Sequence, residues 1–328
     1  MKTLKARFLF VLDLDGTVLS DSANSEIHPD TETEIKRAIE LGHIVCILTG
    51  RPWRSTKPVY EKLGLNTIVA NFNGAFVHNP TDSDFVPIIN YINLNDILYI
   101  MGDKRVKAEI SNVAIEGPGW AKIKKRDKQL EQVFGFNHLS NLKPGLNFHK
   151  IPLKPTCLIL DTKPTTNVAD FKFYLERRYG DLGEFSAWSK GENHTFVFDM
   201  TAIGVNKSKA VSMLSRYYKI DLNNIISIGD SYNDIGMFTV STISVAMKNS
   251  PPQVKKQATV VLNKTNKEGG VGDYIRRFLK NPEKEIAKSK KLRKYVPLSQ
   301  SEQLIIKRWL WKRLLFMEGL LTLFTKRI

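Results

Sequence analysis

Two continuous apolar runs open the chain and predict buried strands. Residues 7–12 (Arg-Phe-Leu-Phe-Val-Leu) end at Asp13, and residues 43–48 form the next run. Between them, residues 31–41 place apolar side chains at helical spacing, and Gly42 follows as a stop signal. Strands that are apolar throughout, joined by a helix, are typical of a parallel sheet that is covered on both faces.

The same alternation returns near the end of the chain. Residues 67–70 predict a short strand, residues 205–218 a helix, and residues 225–228 and 243–246 two further strands. The first and last thirds of the chain therefore predict one doubly wound α/β domain with a parallel, Rossmann-like sheet.

The middle of the chain is irregular and is interrupted often by Asn, Pro and Gly. It holds short strand-like runs at 87–92 and 157–160 and a helical pattern at 168–179. We interpret it as an inserted α+β domain. The predicted organisation is a discontinuous core at 1–79 and 189–280, an insertion at 80–188, and a C-terminal extension at 281–328.

The charge of the chain is strongly positive but unevenly placed. The formal net charge is +16, and residues 280–328 alone carry thirteen Lys or Arg and four Glu, a net of +9. The basic character belongs mainly to the C-terminal extension, and no nucleic-acid-binding motif occurs in the body. We therefore expect no specific nucleic-acid partner.

The C-terminal extension begins with a charged linker at 283–294. Ser299 and Glu302 then form a capping-box pattern, and a basic, apolar, amphipathic helix is predicted from there to the end. One hypothesis places this helix at a membrane surface, through its tryptophans and basic residues. The alternative is a helix that packs on the body or on a second subunit.

The cysteines and the apolar runs indicate the compartment. Cys46 and Cys157 each lie in an apolar run with no metal-type spacing, as expected of buried thiols in a reducing environment. The run before Asp13 is too short for a signal peptide, and no segment has the length of a clean membrane-spanning helix. We expect a cytoplasmic protein.

Reactive side chains follow the predicted strands at the points where they end. Asp13 and Asp15 follow the first strand, Thr49 the second, and Asp230 a later one. Open α/β sheets bind ligands at the carboxyl ends of their strands, so these side chains are expected to converge on one cleft. The carboxylates, with that of Asp234, suit Mg²⁺, and one of them could attack phosphorus. An ordinary Asp-Gly turn is the alternative for the first group.

Three other groups have a chemical and a structural interpretation. Thr49-Gly50 at a strand-to-helix turn suits a phosphate, but it is also an ordinary helix entry. Lys207 could neutralise phosphate charge, with Lys209 as a nearby competitor. The loop 229–234 supplies two carboxylates and an amide, which could bind a ligand. The alternative is that these side chains cap the next helix.

Taken together, these segments resemble a known family. The matching segments are FVLDLDGTVL (10–19), ILTGR (47–51), ANFNGAFV (70–77), GVNKSKAV (204–211), ISIGDSYNDIGMF (226–238) and VAMKNSPPQVKKQA (245–258). In this order they resemble the haloacid dehalogenase-like phosphatases, specifically the Cof-type branch with a class IIB cap. The resemblance extends to about Leu279 and leaves the tail uncovered.

The resemblance implies roles for the two aspartates of the first motif. Asp13 would be the nucleophile and a Mg²⁺ ligand. Asp15 would protonate the leaving oxygen, then activate water, and also lend its backbone carbonyl to the metal. Related ion pumps have Thr at the position of Asp15, so an acid/base there favours a phosphatase or a mutase.

The resemblance also implies the rest of the site. Thr49, Gly50 and the backbone N–H of Leu14 would bind phosphate, and Lys207 would stabilise the transferring group. Asp230 would hold Mg²⁺ with help from Ser231 or Asp234, and Asn233 would position Lys207 or phosphate. The long separation between Thr49 and Lys207 places the inserted cap after the second motif, as in class IIB.

The sequence thus predicts a Mg²⁺-dependent phosphatase that hydrolyses small phosphate monoesters, such as sugar phosphates or phosphorylated cofactors, through an aspartyl phosphate on Asp13. The alternatives are a non-catalytic module that senses a phosphorylated metabolite, and a phosphotransferase or mutase. Cap residues should choose the substrate. His78, Lys150 and Trp188 are candidates, although each also suits a structural or surface position.

Overall fold

The structure is a computed structural model that describes residues 6–136, 139, 142–189 and 195–293. Within these residues the chain forms eleven α-helices and fifteen β-strands. Two five-stranded sheets organise the fold, and two small antiparallel sheets accompany them. None of the described helices combines the length and the apolar character that crossing a membrane requires.

The first large sheet is parallel and uses the apolar runs from the two ends of the described chain. Its strands, in spatial order, are β15 (Val260–Val261), β14 (Ile243–Ala246), β13 (Ile225–Gly229), β1 (Leu9–Leu12) and β4 (Ile44–Ile47). Leu9 lies opposite both Ile225 and Ile44, so β1 is central. The chain winds outward from β1 in both directions, which confirms the predicted doubly wound α/β core.

Helices cover both faces of the parallel sheet. They are α1 (Pro29–Glu40), α2 (Trp53–Lys62), α7 (Lys207–Tyr218), α8 (Ile235–Val240), α9 (Pro252–Gln257) and α10 (Gly270–Lys280). Because side chains alternate along a strand, Phe10 and Leu12 pack in the cluster of α1, α2 and α10. Leu9 and Val11 pack in the cluster of α7, α8 and α9.

The second large sheet is antiparallel. In spatial order its strands are β11 (Gly183–Ser189), β12 (Phe196–Ala202), β10 (Cys157–Thr162), β8 (Ile110–Gly117) and β9 (Trp120–Ile123). One face packs on α3 (Leu94–Gly102), α4 (Lys104–Glu109) and α6 (Val168–Tyr179). The other face packs on α5 (Lys128–Val133) and on Phe72 and Ala75.

Two small sheets lie beside the parallel sheet. One is the hairpin of β2 (Leu19–Asp21) and β3 (Glu26–Ile27). The other consists of β5 (Val69–Asn71), β6 (Phe76–His78) and β7 (Ile88–Ile89). The strands predicted at 67–70, 87–92 and 157–160 therefore correspond to β5, β7 and β10, with shifted ends.

The antiparallel sheet extends further along the chain than the predicted insertion at 80–188. Strand β12, which the sequence analysis assigns to the core, pairs with both β10 and β11. An alternating strand looks the same whichever sheet it joins, so its pattern alone does not reveal its partners. We therefore propose a core and a cap whose second boundary lies after Ala202.

The segment predicted as a linker at 283–294 is helical where it is described, as α11 (Pro282–Arg293). The Ser289 hydroxyl donates to the backbone oxygen of Thr242 at 2.7 Å, and Glu285 is buried. These tertiary contacts stabilise the helix, although its sequence reads as a solvated charged stretch. The helix predicted from Ser299 to the end lies outside the described residues.

Candidate active site

The loop after β1 carries the two aspartates of the first motif. The Asp13 N–H donates to the backbone oxygen of Ile228 at 3.0 Å, which continues the pairing of β1 with β13. Gly16 then turns the chain with a φ of +69°, and a Cβ there would come within 2.3 Å of Asp230 Oδ2. Only glycine therefore combines this backbone conformation with this close approach.

Lys207 lies at the first turn of α7 and points into the site. Its side chain is 0% exposed, and its Nζ lies 2.5 Å from Asp13 Oδ1 and 2.6 Å from Asp234 Oδ1. Burial alone would lower the pKa of Lys207, but the charges of Asp13 and Asp234 raise it above its usual value. Lys209 is exposed. The structure thus distinguishes the two lysines that the sequence left open.

The loop after β13 supplies two more carboxylates. Asp234 Oδ2 accepts from the backbone N–H groups of Asp230 and Ser231, each at 2.9 Å. The Asp230 carboxylate accepts from the Thr17 hydroxyl at 3.3 Å. Asp234 therefore fixes the shape of its loop with one oxygen and holds Lys207 with the other.

Three carboxylates meet closely enough to share one cation. Ligand oxygens of Asp13, Asp230 and Asp234 all lie within 4.8 Å of one another. Burial, together with the charges of Asp234 and Asp15, raises the pKa of Asp13 to about 7 against the attraction of Lys207. Burial, Asp234 and Asp13 raise the pKa of Asp230 well above its usual value. The single positive charge of Lys207 does not neutralise three carboxylates. Their oxygen ligands therefore fit a hard divalent cation such as Mg²⁺.

Asp15 is held by a residue to which the sequence analysis gave no role. Arg51 donates from Nη2 to Asp15 Oδ1 at 2.6 Å and from Nε to Oδ2 at 2.8 Å, and it is itself 1% exposed. It also donates to the Ser22 backbone oxygen and the Ser25 hydroxyl. Burial raises the pKa of Asp15, but the charge and hydrogen bonds of Arg51 outweigh it and lower that pKa.

The predicted phosphate-binding residues of the second motif follow β4. Thr49 is fully buried, and its hydroxyl accepts from the Arg51 N–H at 3.1 Å. Gly50 lines the cleft beside the carboxylates. The third predicted phosphate donor is the backbone N–H of Leu14, a buried residue that stands between Asp13 and Asp15 in the sequence. The role of the Asp15 backbone carbonyl at the metal stays a prediction.

A chain of buried amides links the site to the second sheet. Asn233 Nδ2 donates to Asn73 Oδ1 at 3.1 Å, and Asn73 Nδ2 donates to Asp199 Oδ2 at 2.8 Å. Asn73 has a φ of +55°, a conformation that Asn tolerates better than most residues. The Asn233 amide is thus tied to Asn73 through Nδ2, and its predicted role in positioning Lys207 or phosphate stays a prediction.

Part of this site borders a cleft of about 700 Å³. Asp13, Asp15, Asp230 and Ser231 line one part, and side chains of the second sheet line another. Of the three cap candidates, Trp188 lines the cleft. His78 is buried and stacks on Phe76, and Lys150 is exposed.

Arg51, Asn73 and Asp199 are the neighbours of the site that sequence reasoning missed. Arg51 and Asn73 lie inside the quoted motif segments at 47–51 and 70–77, so their position was a usable signal. Asp199 lies in an ordinary alternating strand, and nothing in its sequence context distinguishes it.

The family model and the known proteins that match this chain agree with one another. The family model described as haloacid dehalogenase-like hydrolase matches residues 10–275. A provisionally named phosphatase in the upp 3′ region of Metamycoplasma hominis is 56% identical over 269 residues, 82% of this chain and 95% of that protein. The 5-amino-6-(5-phospho-D-ribitylamino)uracil phosphatase YitU of Bacillus subtilis is 30% identical over 271 residues, 83% of this chain and 97% of that protein.

Solved structures share the fold. A haloacid dehalogenase-like hydrolase from Bacteroides thetaiotaomicron superposes with a TM-score of 0.67 at 21% identity, over 83% of this chain and 99% of that one. The subclass IIB sugar phosphatase BT4131 gives a TM-score of 0.66 at 20% identity, over 83% of this chain and 98% of that one. By sequence and by fold, the chain belongs to the haloacid dehalogenase-like hydrolase family and is an enzyme of its phosphatase type.

Proposed function

We propose that this enzyme hydrolyses phosphate monoesters of small molecules with Mg²⁺ as cofactor, through a phosphorylated Asp13. The observation that carries the proposal is the pairing of Asp13 with the fully buried Lys207 inside a cluster of three carboxylates. The nucleophile Asp13 and the carboxylate of Asp230 line one cleft, and Lys207 pairs with Asp13 at its wall. Positioning and charge stabilisation of this kind are what phosphoryl transfer requires.

Asp13, Asp230 and Asp234 would hold the Mg²⁺, with Ser231 and the backbone carbonyl of Asp15 as further oxygen donors. When bound, the ion neutralises charge on the carboxylates and on the transferring phosphoryl group. The chain itself contributes Lys207, which is fixed by two ion pairs and needs no rearrangement to face the phosphate. Thr49, Gly50 and the Leu14 N–H complete the proposed phosphate cradle.

In the first step, an Asp13 oxygen attacks phosphorus, the bond from phosphorus to the ester oxygen breaks, and Asp15 gives its proton to the departing alkoxide. Asp15 is paired with Arg51 through both oxygens. That pair must therefore loosen before the Asp15 carboxyl can carry a proton towards the leaving group.

In the second step, water attacks phosphorus of the aspartyl phosphate while the Asp15 carboxylate takes its proton. The bond from phosphorus to Asp13 breaks, phosphate leaves, and the Asp13 carboxylate is restored. The low pKa that Arg51 gives Asp15 keeps this carboxylate unprotonated after the first step, so that it is free to take the proton in the second.

A small phosphorylated metabolite is the proposed partner, because the cleft of about 700 Å³ has the size of a small-molecule site. We place the enzyme in the cytoplasm, since Cys46 and Cys157 are both free and buried. Contact of residues 299–328 with a membrane surface or a second subunit is a hypothesis from the sequence alone.

The direct test is phosphate release from p-nitrophenyl phosphate and a panel of metabolite phosphates, with Mg²⁺ or with EDTA. We expect Mg²⁺-dependent release by the wild type and its loss in Asp13→Asn, which keeps the shape of the side chain but removes the nucleophilic charge. Asp181→Asn, an exposed carboxylate change, is the matched control and should leave release unchanged.

The outcomes separate the alternatives. No release from any compound by folded, Mg²⁺-loaded protein would contradict the proposal and favour a module that senses a phosphorylated metabolite. Transfer of the phosphoryl group to an added alcohol in preference to water would identify a phosphotransferase. Undiminished activity in EDTA after extensive dialysis would remove the metal from the mechanism.

A further inference from the structure

The part of the cleft formed by the second sheet and α5 is apolar. Its lining side chains are Val133, Phe134, Ala187, Trp188 and Phe196. We call the rings of Phe134, Trp188 and Phe196, together with the neighbouring Val133, the aromatic roof. The catalytic carboxylates and Arg51 line the same cavity, so a phosphate bound at Asp13 would have its leaving group within reach of this roof.

Trp188 is anchored within the roof. Its ring centroid lies 5.6 Å from that of Phe134, which is itself buried, and its side chain lies near the Asp199 carboxylate. Apart from its indole N–H, the Trp188 side chain offers only apolar ring surface to the cleft. Asp199 accepts from Asn73 at 2.8 Å, so the neighbour of the indole is itself tied to the loop that follows β5.

The chemistry of the roof discriminates between two kinds of leaving group. A polyhydroxylated sugar is puckered and meets an aromatic ring only through its small C–H faces, so it covers less of the roof and risks burying hydroxyl groups without a partner. A planar ring would instead stack on the indole and leave no buried polar group unpaired. The polar side of the cleft, which includes Asp21, Asn266 and Lys267, can reach substituents at the ring edge.

We propose that the substrate of this enzyme is a phosphate ester whose leaving group carries a planar ring, and that Trp188 selects it by stacking. The inference rests on the proposed phosphatase function and narrows it from small phosphate monoesters in general to ring-bearing ones. Trp188 acts on recognition of the leaving group, whereas Asp13, Asp15 and Lys207 act on the phosphate.

The test compares two esters with the same reacting group. Pyridoxine 5′-phosphate and ribose 5-phosphate both carry phosphate on a primary alcohol, and they differ in whether a planar ring or a polyhydroxylated one follows. We expect the wild type to favour pyridoxine 5′-phosphate in kcat/KM by about tenfold or more, the range that stacking on one aromatic side chain provides.

Two substitutions separate stacking from simple apolarity. Trp188→Leu keeps an apolar side chain but removes the ring, and it should lower the kcat/KM preference about tenfold, mainly through a higher KM for the ring ester. Trp188→Phe keeps a ring and should retain the preference within about threefold. Phe173→Leu is the control, because Phe173 is 60% exposed on α6, away from the cleft lining.

Thermal unfolding of each variant confirms that it is folded before its kinetics are compared. Equal kcat/KM for the two esters in the wild type would overturn the roof proposal while leaving the phosphatase function intact. An equal fall for both esters in Trp188→Leu would likewise overturn it, because it would reveal a merely structural role. Failure of the wild type to hydrolyse either ester or p-nitrophenyl phosphate would overturn both proposals together.

Discussion

Lys207 shows how one buried side chain holds the candidate site together. Its ammonium group pairs with the carboxylates of Asp13 and Asp234, and all three side chains are nearly or fully buried. Removing one partner of such a group leaves uncompensated charge in the interior, which costs more than the pair itself contributes. The same lysine thus bears on both stability and the proposed chemistry.

We expect Lys207→Met to lower the free energy of unfolding by about 3–5 kcal/mol in EDTA, since Asp13 and Asp234 lose their shared cation. Phosphate release with Mg²⁺ should fall by about 10² or more, as one charged stabiliser of the transferring group is gone. Urea unfolding and phosphate release measure the two effects.

Lys209→Met serves as the control, because Lys209 lies exposed on the same helix. It should change both quantities little. A Lys207→Met protein that unfolds within 1 kcal/mol of the wild type, a threshold well below the range above, would contradict the role given to the buried pair.

At the scale of elements, strand β6 packs against helix α2 through an aromatic contact. Phe76 and His78 are two residues apart, so they share a face of the strand, and their rings stack at 4.3 Å. Trp53 of α2 meets the His78 ring edge-on at 4.8 Å. His78 Nε2 lies 3.2 Å from Asn71 Oδ1, which assigns it as the donor of a neutral imidazole.

Burial lowers the pKa of His78 to about 4. An unfolded histidine has a pKa of about 6.5, so between these values the folded state binds fewer protons than the unfolded one. Stability should therefore be complete above pH 6.5 and fall as the pH drops towards 4, by about 3 kcal/mol from this group. Urea unfolding at pH 7 and pH 5 measures the loss.

The matched variants isolate this contribution. His78→Gln should remove the share of the stability loss between pH 7 and 5 that comes from His78, whereas the exposed His149→Gln should keep the wild-type slope. The buried carboxylates titrate alike in all three proteins, so the difference between variants reports His78. An unchanged slope in His78→Gln would contradict the assignment.

At the scale of the whole molecule, buried polar links join helices and loops around the parallel sheet to the antiparallel sheet. Asn73 reaches Asp199 on β12, and Arg54 on α2 pairs with Glu116 on β8. Arg54 also lies over the Phe136 ring, 5.0 Å from its centroid. Such links restrict how the two sheets move across the cleft, and this bears on how the roof is held over the catalytic residues.

The ion pair of Arg54 and Glu116 does not satisfy every polar atom of the two side chains. Among the described residues, Arg54 Nε and Nη1 and Glu116 Oε1 are buried without a hydrogen-bond partner. We expect Arg54→Met to destabilise the protein by about 3–5 kcal/mol, because the fully buried Glu116 then lacks a countercharge. The double variant Arg54→Met with Glu116→Gln should recover part of this loss.

A double-mutant cycle by urea unfolding measures the coupling. A loss in the double variant that is smaller than the sum of the two single losses supports the link. Additive losses would show that the two residues do not depend on each other and would contradict the role given to this pair.

Local chemistry predicted the core of the fold and most of the site. The apolar runs before Asp13 and Thr49 could only be buried strands, and strands of one parallel sheet present their carboxyl ends at one edge. That argument placed Asp13, Asp15 and Asp230 together without coordinates. The sequence offered an Asp-Gly turn here only as an alternative, and the close approach of a Gly16 Cβ to Asp230 appears only in the structure.

Only the tertiary structure decided which distant groups meet. The sequence left Lys207 and Lys209 as competitors, gave no role to Arg51, and did not reveal that β12, inside the predicted core segment 189–280, pairs within the antiparallel sheet. Periodicity fixes which face of an element is apolar, because it depends on neighbours a few residues away. Pairings such as Asn73 with Asp199 join positions far apart in the chain, so they exist only once both sheets have packed.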